Sequence, residues 1–355
     1  GGINPLRGQN NVQGACDMGA LPDVLPGYQK VADPAAREKF AAAWGHPLPD
    51  RPGLAVTDMF PAILEGRIKA LYVMGENPAL SDPDIGHVRE ALSRLELLVV
   101  QDIFPTDTAQ LATVVLPAAA APEKDGTFTN TERRCSRFRQ AVPPPGEALP
   151  DWDILCRMAR ALGQDWSYAG PADIFAEMAA LTPSYAGMGW ERLGRDGLQW
   201  PCPDAGHPGT PVLHVGRFTR GKARFAAVRH QDPAEVPDPD YPLVLSTGRM
   251  YAHYHTATMS GNSPHLNAEA PEAYAEMHPA DARGLGLRPG ERVRLATRRG
   301  AVEARLRITD GIRQGVVFMP FHFADGPANR LTNPVLDPVA RIPELKACAV
   351  RVEKL

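Results

Sequence analysis

Four stretches of the sequence gather residue types able to do chemistry. The first, GGINPLRGQNNVQGACDMG (1–19), holds one cation, Arg7, and one anion, Asp17, among Asn4, Gln9, Asn10, Asn11 and Gln13. It shows neither the alternation of a strand nor the stripe of a helix, so the arginine stands in a loop of glycine and carboxamides. In the second, MGENP (74–78), Gly75 lets a ligand approach the backbone, and Glu76 and Asn77 can bond ribose hydroxyls or base edges. The same residues also suit a capped turn. In the third, QDIFPTDT (101–108), Asp102 can accept two parallel N–H bonds, which the N1–H and N2–H₂ edge of guanine offers. Thr106 and Thr108 suit either a phosphate or a helix cap.

The fourth, STGRMYAHYHTATMSGN (246–262), places Arg249, His253, His255 and Thr256 after a strand. A His-X-His pair raises the question of a metal, but no acid or cysteine stands nearby to complete a ligand set. A group of donors for phosphate or a polar heterocycle is the better functional reading, with a plain polar loop as its rival. Further on, FHFADGPANRLTN (321–333) offers Asn329 and Asn333, and Lys346 points toward the same end. The run ERRCSRFR (132–139) suits a solvated face or a docking patch. No Ser/His/Asp set, phosphate loop or GxGxxG fingerprint stands out.

The elements that must position these residues are α/β first and β later. Residues 33–45 read as a helix with Asp33 as cap, Pro34 next and Gly45 as stop. Apolar runs at 68–74, 96–101 and 113–117, with a helical period over 83–95 between the first two, imply a parallel sheet covered on both faces. MGENP and QDIFPTDT then leave the carboxyl ends of strands, where open parallel sheets bind ligands. Residues 118–150 read as a long connection and 151–163 as an amphipathic helix. Residues 164–235 read as irregular. From 242 the period is two: strands at 242–247, 315–320 and 347–353, a hairpin of 291–297 with 301–308, and one short helix at 278–287. That pattern suggests a small barrel. The expected division is 1–122, an α/β cofactor-binding portion with the Arg7 loop; 123–235, a connecting region; and 236–355, the barrel.

The totals narrow the function. A net charge of −3 gives no general basic field for nucleic acid. No apolar run approaches the length of a membrane span. The five cysteines never occur as CxxC and are odd in number, which argues for reduced thiols and against a zinc ribbon or iron–sulfur cluster in this stretch. The chain opens on Gly1 inside a functional-looking loop, so a longer protein is expected.

Taken in order, NPLRGQNNVQGACDMGALPDVLPGY, LYVMGENPALSDPD, LLVVQDIFPTDTAQLATVVLPAAA, LVLSTGRMYAHYHTATMSGN and LKACAVRVE resemble the carboxyl-terminal half of the molybdenum- or tungsten-dependent formate dehydrogenase catalytic (alpha) subunit. The resemblance implies a Rossmann-like α/β portion followed by a double-psi-type barrel. It implies bis-molybdopterin guanine dinucleotide as cofactor and oxidation of formate to CO₂, or the reverse. It makes Arg7 the active-site arginine. A guanidinium holds a carboxylate with two parallel donors and so sets where the formate C–H points, which lysine cannot do. Gln9 would hold that loop and bond the pterin. Gly75, Glu76, Asn77, Gln101, Asp102, Thr106 and Thr108 would line one dinucleotide arm. Arg249, His253, His255, Thr256, Phe321, Asn329 and Lys346 would line the other. The resemblance also implies iron–sulfur or flavin electron-transfer partners and a cytoplasmic location. The family's metal-ligating Cys or selenocysteine and its 4Fe–4S cluster belong to the amino-terminal half, which this sequence does not contain; Cys16 is not that ligand. Leu345 stands where relatives often carry an aromatic. Another bis-molybdopterin oxidoreductase, such as a nitrate reductase, or a non-catalytic molybdopterin-binding module are the alternatives.

Overall fold

The computed structural model describes Leu6 and residues 8–355. Contacts divide the chain into two compact units, each drawn from two separate stretches: residues 1–55 with 117–227, and 56–116 with 228–355. The chain crosses between them near two of the boundaries expected from sequence. The crossing after Ala55 has no sequence signal.

The second unit holds a three-stranded sheet and a closed barrel. Strands Ala70–Met74 and Leu97–Asp102 pair in parallel from Ala70↔Leu97 to Met74↔Gln101, and Val114–Pro117 completes the sheet. Helix Ile85–Ser93 turns Val88, Ala91 and Leu92 inward to meet Leu98 and Val100. The period-3.6 pattern of the one and the continuous apolar run of the other are what a covered parallel sheet requires. Helix Val56–Leu64 adds Phe60 and Ile63 to that core; Pro61 inside it hides the helix from sequence reading.

The barrel closes through six strands in the order 274–277, 300–308, 292–297, 348–354, 243–248 and 316–320. The hairpin Arg292–Thr297 and Gly300–Ile308 turns on Arg298 and Arg299, with Thr297 opposite Gly300. Val293, Leu295, Val302, Ala304 and Leu306 all point inward and are buried, as the period of two demands. Burying each of these valine and leucine side chains contributes about 1.5–3 kcal/mol.

The first unit corrects the sequence reading in three places. Residues 118–150 are not only connection: Gly126–Thr129 and Arg134–Phe138 form an antiparallel hairpin, to which Leu198–Gln199 adds a third strand. Asn130 makes its turn, its Oδ1 accepting from the backbone of Glu132 and Arg134. The arginine run masked this alternation. Within 164–235, Pro171–Leu181 is a helix, with Pro171 at its first position. Helix Asp151–Ala161 ends two residues short of the expected 163, and Leu162 is exposed. Helix Pro34–Trp44 forms as expected, Asp33 Oδ1 accepting from the Ala35 amide at 3.0 Å and Gly45 closing it at φ 70°.

Candidate dinucleotide site and arginine loop

In the second unit the two strand exits meet. Gly75 adopts φ 65°, its amide donates to Gln101 O at 2.9 Å, and open space lies where a Cβ would stand. A glycine is therefore required for backbone shape, and the space above it is free for a ligand. Glu76 follows on the exposed side.

The polar residues behind this exit are spent on each other. Asn77 Oδ1 accepts from the Thr108 amide at 3.0 Å and its hydroxyl at 2.8 Å. Thr108 Oγ1 accepts from the Ala79 amide at 3.1 Å. Asn77 Nδ2 donates to Asp107, which also accepts from Arg89. Thr106 caps the short helix that follows, accepting from the Ala109 amide. Asp102 Oδ1 accepts from the amides of Ile103 and Phe104, shaping the turn. Gln101 is fully buried and hydrogen-bonded to Tyr72. These side chains fasten the loops to each other, so the loop backbone is presented in one shape.

On the barrel side, Asn329 Nδ2 donates to Leu80 O at 3.1 Å and Ser81 O at 2.8 Å, tying the barrel loop to the helix after Asn77. The two histidines diverge. His253 is buried, donating from Nε2 to Ala270 O and accepting from Ser260 at Nδ1. His255 turns its ring edge-on to Phe321, 5.6 Å between centroids. Both ring nitrogens of His253 are thus engaged within the protein. Arg249 lies 5.5 Å from the Phe321 ring, and Lys346 Nζ donates to Thr247 O at 2.8 Å. Both cations are exposed at this end of the barrel. Burial, then the Arg249 charge, holds the Lys346 ammonium and the His255 imidazole below their usual pKa ranges.

One residue here carries weight that sequence reasoning missed. His322 Nε2 accepts from the Met250 amide at 2.9 Å, which fixes the proton on Nδ1, and that N–H donates to His255 O. His322 thus holds the Arg249–His255 segment from beneath. Its place beside Phe321 was the available signal.

A cavity of about 320 Å³ opens between these loops. Of the expected residues, Asn77, Thr106, His253 and Thr256 line it, with Phe104, Asp107 and His322. Gly75, Glu76, Gln101, Asp102, Thr108, Arg249, His255, Phe321, Asn329 and Lys346 are not among the residues that line it. The amide, hydroxyl and imidazole groups lining the cavity, and the open backbone at Gly75, are donor and acceptor chemistry that suits a nucleotide.

In the first unit, Gln9 is half-buried in the turn before helix Val12–Asp17, and Arg7 lies outside the described residues. Asn11 caps that helix in the left-handed conformation, φ 61°. Its Oδ1 accepts from the Thr129 amide at 3.1 Å.

Two family descriptions match the sequence: Molybdopterin oxidoreductase over residues 1–161, and Molydopterin dinucleotide binding domain over 243–349. The F420-dependent formate dehydrogenase 1 subunit alpha of Methanococcus maripaludis is 52% identical over all of this chain, which spans 53% of that protein. Formate dehydrogenase H of Escherichia coli is 40% identical over all of this chain and 50% of its own length. The assimilatory nitrate reductase catalytic subunit of Bacillus subtilis is 37% identical over 99% of the chain and 51% of its own. Acetylene hydratase from Pelobacter acetylenicus shares the fold, with a TM-score of 0.67 at 19% identity over 90% of this chain and 50% of its own. The chain spans about half the length of the curated relatives it matches. It belongs to the molybdopterin oxidoreductases and is homologous along its whole length to formate dehydrogenase alpha subunits.

Proposed function

We propose that this chain provides the formate-holding arginine and the dinucleotide seats of a formate dehydrogenase alpha subunit. The observation that carries the reading is similarity to formate dehydrogenase alpha subunits, 50–52% identical over the whole chain. Arg7 receives the formate carboxylate on two parallel N–H donors and so fixes the direction of its C–H bond. The carboxamides beside it, Gln9 first, hold the loop. Gly75 leaves the backbone open to the guanine end of one arm, with Glu76 and Asp102 at its edge. Arg249 and Lys346 offset the negative charge of the other arm's diphosphate, and Phe321 and His255 present ring surfaces to it.

The bound bis-molybdopterin guanine dinucleotide, with molybdenum or tungsten, supplies the acceptor for the two electrons released as formate becomes CO₂. Iron–sulfur centres outside this chain would take those electrons on to a partner subunit, with the cytoplasm as the expected compartment. The relatives named F420-dependent make F420 the acceptor to test beside viologen dyes.

The test is Arg7→Lys in the complete enzyme. Lysine keeps the charge and loses the fork. The expected result is a formate KM raised at least tenfold and a lowered kcat, with cofactor content unchanged. Unchanged kinetics would remove Arg7 from the site.

A further inference from the structure

Directly after the arginine loop lies a buried carboxylate to which nothing above gives a role. Asp17, 1% exposed, ends helix Val12–Asp17. Its Oδ1 accepts from Gln13 Nε2 at 2.8 Å and from the Tyr28 hydroxyl at 2.9 Å. Its Oδ2 accepts from the Tyr185 hydroxyl at 2.7 Å and from Trp200 Nε1 at 2.7 Å. Four neutral donors thus converge on two oxygens, from positions up to 183 residues away. Such a set saturates a carboxylate, whereas an amide in its place would turn a donor toward two of the four.

The network does not stop at the carboxylate. With its proton given to Asp17, the Tyr185 oxygen accepts from Thr129 Oγ1 at 3.1 Å. The Thr129 amide in turn donates to Asn11 Oδ1. Asn11 is where the arginine loop turns into the helix, four residues after Arg7. The helix between them is built for this closure. A Cβ on Gly14 would stand 2.1 Å from Asn11 Oδ1 and 3.3 Å from Thr129 Cβ, so only glycine leaves room for the Asn11 side chain to reach Thr129. Both ends of one short helix are thereby fixed to the same buried frame: the carboxyl end through Asp17, the amino end through Asn11.

We propose that Asp17 is a positioning residue for the Arg7 loop. Its four hydrogen bonds, extended through Tyr185 and Thr129 to Asn11, set the place from which that loop departs. This rests on the reading of Arg7 as the formate-holding group. A loop of three residues, Gly8 to Asn10, separates Arg7 from the frame, and an error of about 1 Å at the reacting centre costs as much as 100-fold.

Three variants of the complete, cofactor-loaded enzyme test it: Asp17→Asn, Gly14→Ala and Arg7→Lys. Asp17→Asn is expected to raise the formate KM about tenfold with a smaller fall in kcat, at unchanged cofactor content. Amide hydrogen exchange across residues 8–17, read without turnover, should quicken severalfold. Gly14→Ala leaves every bond to Asp17 in place yet displaces Asn11, so it should give the same KM rise; it decides the matter if Asp17→Asn does not fold. Normal formate KM in Gly14→Ala, or in an Asp17→Asn enzyme that merely melts earlier, would overturn the proposal. If Arg7→Lys raises KM while neither other variant does, this inference alone fails. If Arg7→Lys leaves KM unchanged, the reading of Arg7 itself fails.

Discussion

At the scale of single residues, the candidate dinucleotide site divides into groups exposed to solvent and groups that hold the loops in place. Arg249 and Lys346 are exposed, whereas Asn77, Thr108, His253 and Asn329 are buried with their hydrogen bonds made inside the protein. Residue type alone could not separate them, since an amide that binds a base and one that ties two loops look alike in sequence. His322 shows the cost of that blindness. Burial chiefly, with the nearby histidines and Arg249, lowers its pKa despite the bond to His255. An imidazole depressed in the fold contributes stability above its unfolded value of about 6.5, lost as pH falls through the lower folded one. Protonation would also turn a donor toward the Met250 amide. His322→Phe, which orphans that amide, should cost about 1–3 kcal/mol by chemical denaturation. The cost should be larger at pH 7.5 than at pH 5, and a pH-independent cost would contradict this account. Arg7 was legible as an oddity in its loop; its role came from resemblance.

At the scale of elements, the strand exits were legible and their fastening was not. Glycine after a short apolar strand marks Gly75, and the left-handed backbone bears it out. Gly75→Ala meets no protein atom, so the strain of a side chain at positive φ should cost only about 1–2 kcal/mol. Its methyl group enters the space assigned to the cofactor, so dinucleotide content on purification should fall far more than the melting temperature. Full cofactor content would move the dinucleotide away from this strand. The next helix carries a second prediction. Burial raises the Asp82 carboxyl to about 6, the Ser81 hydroxyl opposing and Glu76 assisting. A carboxyl with a raised folded pKa favours the fold below its unfolded value, and that benefit is lost as pH climbs through 6. Asp82→Asn should therefore stabilise the protein at pH 7.5, by at most about 3 kcal/mol, and change little at pH 4. Equal effects at both pH values would show that Asp82 is not desolvated. The hairpin at 126–138 escaped notice because its strands are four and five residues long and three of their seven unburied positions are arginine or threonine.

At the scale of the molecule, period-two patterning announced a barrel, and the barrel is there. What a linear reading missed is that both units are discontinuous. Residues 56–116 join the barrel unit through contacts such as Asn329 to Leu80, 249 positions apart, which no local pattern encodes. The first unit is likewise closed by Trp200 reaching Asp17. The proposed function is that of a complete enzyme, and the curated relatives run to about twice this length. Among the described residues no helix is long and apolar enough to cross a membrane. The most direct measurement is electron transfer by that enzyme with benzyl viologen, offered formate as donor and, separately, nitrate as acceptor. Dye reduced by formate and not reoxidised by nitrate is the expected result. Reoxidation by nitrate without any reduction by formate would contradict the assignment and place the chain among the nitrate reductases instead.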